Sequence, residues 1–234
     1  MREGVGTAGY PLQSLEMRRT WDALAAADSP VYVGDPARGA EELEGLFGRL
    51  RADPRGGTCV EVGCGPGRMT GALAERFDQV LALDVSPAMI ERARAAVHAA
   101  NVRFVAVSGE RLDGVEDGIA DVLVCYLVLQ HLPSRRVVSS YVSEFARVLA
   151  PGGEAFVQLP VLGGLAGRSW RAARTPLLAL SRRPDRGAAF RGFRLTSREL
   201  DAAVAAAGLR VLGADEGPSA YRFSRDRFLR LGRS

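Results

Sequence analysis

Apolar positions change their spacing near residue 58. Before it they recur at helical intervals, first through "SLEMRRTWDALAAA" and then in a stripe of Leu43, Leu46, Phe47 and Leu50. Asp35 is the expected N-cap of this second helix and Pro36 its first helical residue. Residues 1–57 therefore read as a helical flank or lid.

From Thr58 short apolar runs alternate with helical periodicity, the pattern of βαβ units around a mostly parallel sheet. "TCVEVG" reads as a first strand, followed by a helix burying Met69, Ala72, Leu73 and Phe77, and "QVLALD" as a second strand. Ser86 and Pro87 open another helix, whose inner face is Met89, Ile90, Ala93 and Val97. "VRFVAV" is strand three. "ADVLVCYLVL" is apolar nearly throughout, as a parallel strand covered on both faces requires. Ser134 caps a helix carrying Val138, Val142, Phe145 and Leu149, which "PGG" ends before the strand "EAFVQLP". Thr196 and Glu199 form a capping box for a last helix stopping at Gly208, and "LRVLGAD" with "AYRFSR" completes the sheet. No repeat or low-complexity linker interrupts residues 58–234, which are expected to form one α/β domain.

Composition narrows the picture modestly. Of the 234 residues, 47% are hydrophobic and 25% charged, which suits a soluble globular chain. The net charge of +4 is too small to argue for nucleic acid, and with no lysine among the 31 basic residues the arginines reflect composition more than function. The three cysteines, Cys59, Cys64 and Cys125, lie in apolar surroundings without metal-ligand spacing, which fits buried thiols in a reducing cytoplasm. The N-terminal stretch has no apolar segment of signal-peptide length, and Val122 to Leu132 is too short to span a bilayer.

The chemistry gathers at "VEVGCGPGRM". A glycine-rich turn between strand and helix brings backbone N–H groups close to a ligand, and the helix start beyond it favours a carboxylate or phosphate. Asp84 ends strand two, 21 positions after Gly63, where a doubly wound fold sets an acid against a ribose diol. A nicotinamide or flavin dinucleotide is the competing ligand, but Gly63, Gly65 and Gly67 run G-x-G-x-G, not the dinucleotide G-x-G-x-x-G. Glu61 suits an ammonium better than a pyrophosphate. A ribose joined to a zwitterionic amino acid describes S-adenosylmethionine.

Five segments in order, "VEVGCGPGRMTGALAERF", "LALDVSPAMIERAR", "DVLVCYLVLQHLPS", "ARVLAPGGEAFVQLP" and "SRELDAAVAAAGLRV", resemble the successive signatures of class I S-adenosylmethionine-dependent methyltransferases. The resemblance implies a Rossmann-like three-layer sandwich with a seven-stranded, mostly parallel sheet containing one antiparallel strand. It implies S-adenosyl-L-methionine as cofactor, with S-adenosyl-L-homocysteine as product. It carries Glu61, Gly63, Cys64, Gly65 and Gly67 onto the methionine end of the cofactor, Asp84 onto the ribose, and Val85 and Met89 onto the adenine. Gly109 and Glu110 take the place of a Gly-Asp pair that reaches the adenine amino group, and Tyr126 joins the cofactor wall.

His131, after strand four in "LVLQHLP", is the candidate general base, its ordinary pKa of about 6.5 suiting it to work near neutrality; a structural role is its other reading. Arg68 and Gln130 are further cleft candidates, and His98 is expected to be exposed. Between Arg168 and Arg198 lie nine arginines and one acid, Asp185, with Trp170, Leu177, Leu178 and Leu180 interleaved. This stretch, within an insertion over about 161–195, reads as a cover with a solvated face, as a pocket for an anionic small acceptor, or as peripheral contact with a lipid-like one. Pro176 interrupts a membrane-surface helix. The expected activity is methyl transfer to oxygen or nitrogen of a small metabolite. Methylation of RNA, and a non-catalytic subunit that keeps only the cofactor pocket, are the alternatives.

Overall fold

The computed structural model describes residues 12–27, 36–165, 167, 169, 171–172 and 193–233. Asp35 and most of the arginine-rich stretch, including Trp170, Pro176, the three leucines and Asp185, lie outside them.

Helix α1 spans Leu12–Ala26 and α2 Gly39–Arg49. The alternation then runs β1 Thr58–Val62, α3 Thr70–Ala74, β2 Gln79–Asp84, α4 Pro87–Ala96, β3 Val102–Ala106, β4 Ala120–Cys125, α5 Arg135–Val148 and β5 Leu149–Leu162. Helix α6 spans Ser197–Ala206, β6 Leu209–Pro218 and β7 Ser224–Arg233. The seven strands lie in the order β3-β2-β1-β4-β5-β7-β6. Strand β7 is antiparallel to both its neighbours, and the other ladders are parallel. This is the expected α/β sandwich.

Each face of the sheet has its own core. One gathers Val60, Val62, Leu81 and Leu83 against α5 and α6. The other gathers Cys59, Val80, Ala82, Val124, Phe156 and Phe228 against α2, α3 and α4, with Phe47 edge-on to Phe156 at 4.9 Å. Apolar burial on both faces, worth roughly 25 cal/mol per Å², is what holds the layers together.

The caps follow the sequence. Ser86 accepts from Met89 N, Ser134 from Val137 N, and Thr196 and Glu199 form the reciprocal box. Five boundaries differ. Helix α2 starts at Gly39, after a 3-10 turn over Pro36–Arg38, and a Cβ at Gly39 would fall 1.8 Å from the Arg68 carbonyl, so only glycine fits there. Helix α3 is a single five-residue stretch preceded by turns, so its dipole is small. Strand β4 stops at Cys125, short of the apolar run's end, since Leu127 takes a left-handed φ of 58° and Leu129–His131 winds into a 3-10 turn. Strand β5 begins at Leu149 and takes in "PGG". Strand β7 occupies "SRDRFLRLGR" and not "AYRFSR", its alternating Phe228 and Leu229 to Leu231 filling opposite faces.

Candidate functional site

The strand order reverses between β1 and β4, and in doubly wound sheets such a switch opens a crevice at the carboxyl ends of the strands. A cavity of about 580 Å³ occupies that place. Register determines its polar floor. Glu61 pairs with Ala82 on β2 and Val124 on β4, and Val124 with Phe156 on β5. Two residues farther along on the same face stand Asp84, Tyr126 and Gln158. One row farther along the same face, Asp226 of β7 stands opposite Pro160 of β5. All of these except Phe156, Ala82 and Pro160 line the cavity.

The turn after β1 is built against β2. Gly63 N–H and Cys64 N–H both donate to the Leu83 carbonyl, at 2.7 and 2.9 Å, Gly65 N–H donates to Asp84 Oδ2 at 2.9 Å, and Gly67 N–H donates to the Cys64 carbonyl at 3.0 Å. The expectation that these N–H groups face a ligand is therefore not met: the protein uses them. What the glycines provide is conformation and room. Gly63 has φ 75°, and a Cβ there would fall 2.3 Å from Val128 Cγ2; Gly65 has φ 54° and opens onto empty space.

Two buried acids converge beside this turn. Asp84, 8% exposed, also accepts Ser86 N–H at Oδ1, 2.8 Å away. Burial pushes its carboxyl up to about 6, against the lowering effect of the backbone N–H bonds from Ser86, Gly65 and Val85. Glu61, 4% exposed, accepts Thr70 Oγ1–H at 2.6 Å. Burial pushes it up to about 7, with the Thr70 bond lowering it, Asp84 raising it and Arg68 lowering it. No cation pairs with Glu61 among the described residues, since the Arg68 guanidinium is bonded to Glu42. An ammonium arriving in the cavity would supply the missing charge.

The remaining wall has an apolar half and a polar half. Met17 and Trp21 of α1, Val85, Met89, Val107 and Leu132 form the first. Helix α1 is fastened there through Asp22, which accepts Ser86 Oγ–H at 2.5 Å and Ala88 N–H at 3.3 Å, and through Arg92 donating to the Ala25 carbonyl at 2.9 Å. The polar half comprises Arg38, Glu42, Arg68, Tyr126, Gln130, Gln158, Tyr221 and Asp226. Gln158 accepts Leu127 N–H at 3.1 Å, steadying the left-handed turn after β4. His131 stands between the halves, its ring edge-on to Trp21 at 5.1 Å.

Of the residues singled out from sequence, Glu61, Gly63, Cys64, Gly65, Asp84, Val85, Met89, Tyr126 and His131 line this cavity together. Gly67 lies behind it against Ala93 and Val97, and Gly109 packs under Val85 and Met17. The Glu110 carboxylate is turned to Ser14 and Arg136 and is not on the cavity wall. His98 is exposed as expected. The thiols of Cys59, Cys64 and Cys125 are buried and unpaired, with burial pushing each upward. Arg38, Glu42, Tyr221 and Asp226 were not legible as site residues. The one available signal was the alternation in "SRDRFLRLGR", which puts an acid on the same side as Phe228. No group of His, Cys, Asp and Glu able to hold a metal ion occurs among the described residues.

Residues 60–157 match the family model described as a methyltransferase domain. The chain is 30% identical over 143 residues to the ubiquinone biosynthesis O-methyltransferase of Xanthomonas axonopodis pv. citri (strain 306), covering 59% of this chain and 55% of that protein. It is 34% identical over 103 residues to the trans-aconitate 2-methyltransferase of Methylobacterium radiotolerans, covering 43% and 37%. It thus spans about half the length, or less, of these relatives. In three dimensions it resembles the N-methyltransferase NodS from Bradyrhizobium japonicum WM9 in complex with S-adenosyl-L-homocysteine, with a TM-score of 0.65 at 16% identity over 93% of this chain and 98% of that one. A geranyl diphosphate methyltransferase in complex with GPP and sinefungin gives a TM-score of 0.68 at 16% identity, over 96% and 100%. The sheet order, the G-x-G-x-G turn and these likenesses agree with a methyltransferase domain of the class I S-adenosylmethionine-dependent type over residues 60–157.

Proposed function

We propose that the protein binds S-adenosylmethionine in this cavity and transfers its methyl group to oxygen or nitrogen of a small molecule. The observation that carries the reading is the pair of buried carboxylates, Glu61 and Asp84, flanking the open space over Gly65. Glu61, lacking a cation of its own, would hold the cofactor ammonium. Asp84 keeps acceptor capacity beyond its backbone bonds and would take the ribose hydroxyls. Val85 and Met89 would pack on the adenine, and Arg38 and Arg68 are the cations within reach of the cofactor carboxylate. Gly109 and Glu110 would support this end from behind Val85 and Met17.

The bound cofactor supplies an electrophilic methyl on a sulfonium. The chain's own task is alignment of the acceptor and exclusion of water, and good alignment can contribute roughly 7–11 kcal/mol. His131, at the junction of the two halves, would take the proton of a hydroxyl acceptor, a role worth about 10²–10⁴ in rate. Helix α1, whose Met17 and Trp21 wall the cavity, would serve as the lid of residues 1–57, and the insertion over about 161–195 as the acceptor cover. No described helix is long and apolar enough to cross a membrane, and the three buried free thiols agree with a cytoplasmic setting.

Calorimetric titration with S-adenosylmethionine tests the reading, followed by detection of S-adenosylhomocysteine formed in the presence of a metabolite extract. Saturable binding and product are expected. Absence of binding, or NAD binding in its place, would overturn it.

A further inference from the structure

Two oxygens on the polar half of the cavity are shut off from solvent and meet no donor among the described residues: Gln130 Oε1 and Asp226 Oδ1. Both side chains line the cavity. Among the described residues the buried acids are satisfied, Glu61 by Thr70, Asp84 by Gly65 and Ser86, and Glu144 by Leu112 N–H and Arg147. Folded proteins leave few buried polar atoms unpaired, because such an atom has given up water for nothing.

Asp226 stands on β7 opposite Pro160 of β5, on the row that faces the cavity. Gln130 is hydrogen-bonded to the Tyr221 hydroxyl, and with its oxygen unpaired this bond runs through the amide nitrogen. Among the described residues no donor is left for either oxygen, and both side chains face the space a ligand would enter.

Charge points the same way. The chain carries a net +4, yet among the described residues its cavity sets four carboxylates, Glu42, Glu61, Asp84 and Asp226, against two guanidiniums, Arg38 and Arg68. Glu42 is bonded to Arg68, and Glu61 and Asp84 face the turn after β1. Asp226, half-buried with one oxygen shut off from solvent, is the acid left for a second ligand, and such an acid repels an anion while attracting a donor. Burial pushes the Tyr126 and Tyr221 hydroxyls upward, with Glu42 and Asp226 adding to this at Tyr126 and Arg194 opposing it at Tyr221, so both keep their protons.

We infer that the methyl acceptor is a neutral or cationic small molecule bearing hydroxyl or amine donors, and that Asp226 and Gln130 select it and reject carboxylate and phosphate acceptors. The inference rests on the methyl-transfer reading above. It parts from the anionic acceptor that the arginine-rich stretch suggested, because the described cavity wall is acidic.

The test uses the full chain, a labelled methyl donor, and a total metabolite extract of the producing organism separated by ion exchange at pH 7. Label is expected in the neutral or cation-exchange fraction. In Asp226→Asn the apparent KM for that fraction should rise at least tenfold, with the cofactor Kd unchanged within twofold. Gln130→Met should raise the same KM several-fold. Label confined to the anion-exchange fraction would overturn the inference, as would an Asp226→Asn protein of native thermal stability with an unchanged KM, or cofactor binding with no fraction labelled. A wild-type protein that binds no cofactor would instead strike the methyl-transfer reading, so the two failures are distinguishable.

Discussion

Asp84 Oδ2 accepts the backbone N–H of Gly65 at 2.9 Å, so the acid that ends β2 also fixes the turn that follows β1. One side chain thereby shapes the floor of the cavity and lines it. The carboxylate and the turn cannot be altered separately.

Asp84→Ala should accordingly lower cofactor affinity by two orders of magnitude or more. It should also cost about 1–3 kcal/mol of stability by leaving the Gly65 and Ser86 N–H groups without their acceptor. Titration calorimetry and urea denaturation read the two effects. Undiminished cofactor affinity would remove Asp84 from the proposed site.

The Glu61 carboxyl, pushed by burial from 4.5 up to about 7, gives the ligand-free protein a distinctive pH dependence. In the folded state it keeps its proton longer than in the unfolded chain. Its contribution to stability is therefore full below pH 4.5 and is lost as pH rises through about 7. Asp84 acts in the same sense between 3.8 and about 6. Cofactor binding runs opposite, since an ammonium requires the charged carboxylate, so Kd should tighten as pH rises through about 7. Glu61→Gln should bind at least tenfold more weakly and flatten both profiles, measured by thermal unfolding and calorimetry across pH 4 to 8. A Glu61→Gln protein that retains the wild-type profiles would show that another group titrates.

Gly63 and Gly65 should respond differently to alanine. Both carry a left-handed φ, a strain of roughly 1–2 kcal/mol for an L-residue. Only at Gly63 does the new methyl collide with Val128. Gly63→Ala should therefore lose more stability than Gly65→Ala, whose methyl enters the open cavity and should chiefly weaken cofactor binding. Equal denaturation midpoints for the two variants would contradict this division.

His131→Ala should slow turnover on a hydroxyl acceptor by about 10²–10⁴ while leaving cofactor Kd within a few-fold. Loss of its edge contact with Trp21 should cost about 0.5–1.5 kcal/mol. Full-speed turnover in the variant would leave His131 only the packing role.

The sequence by itself determined the alternation of strands and helices, the caps at Ser86, Ser134 and Thr196, the glycine turn, and the acids Glu61 and Asp84. These are local matters: periodicity of 2 or 3.6, a hydroxyl three residues before an N–H, a glycine where φ is positive. Tertiary structure decided what depends on distant partners. The run "CYLVLQHL" could not reveal that β4 ends at Cys125, because Gln158, 31 residues on, holds the turn at Leu127. The N–H groups of the glycine turn looked free in sequence, but Leu83 and Asp84 had to lie alongside before they were taken. The antiparallel return of β7 brings Asp226 to the carboxyl ends of strands that run the other way, and no local pattern encodes a register set by pairing across the whole sheet.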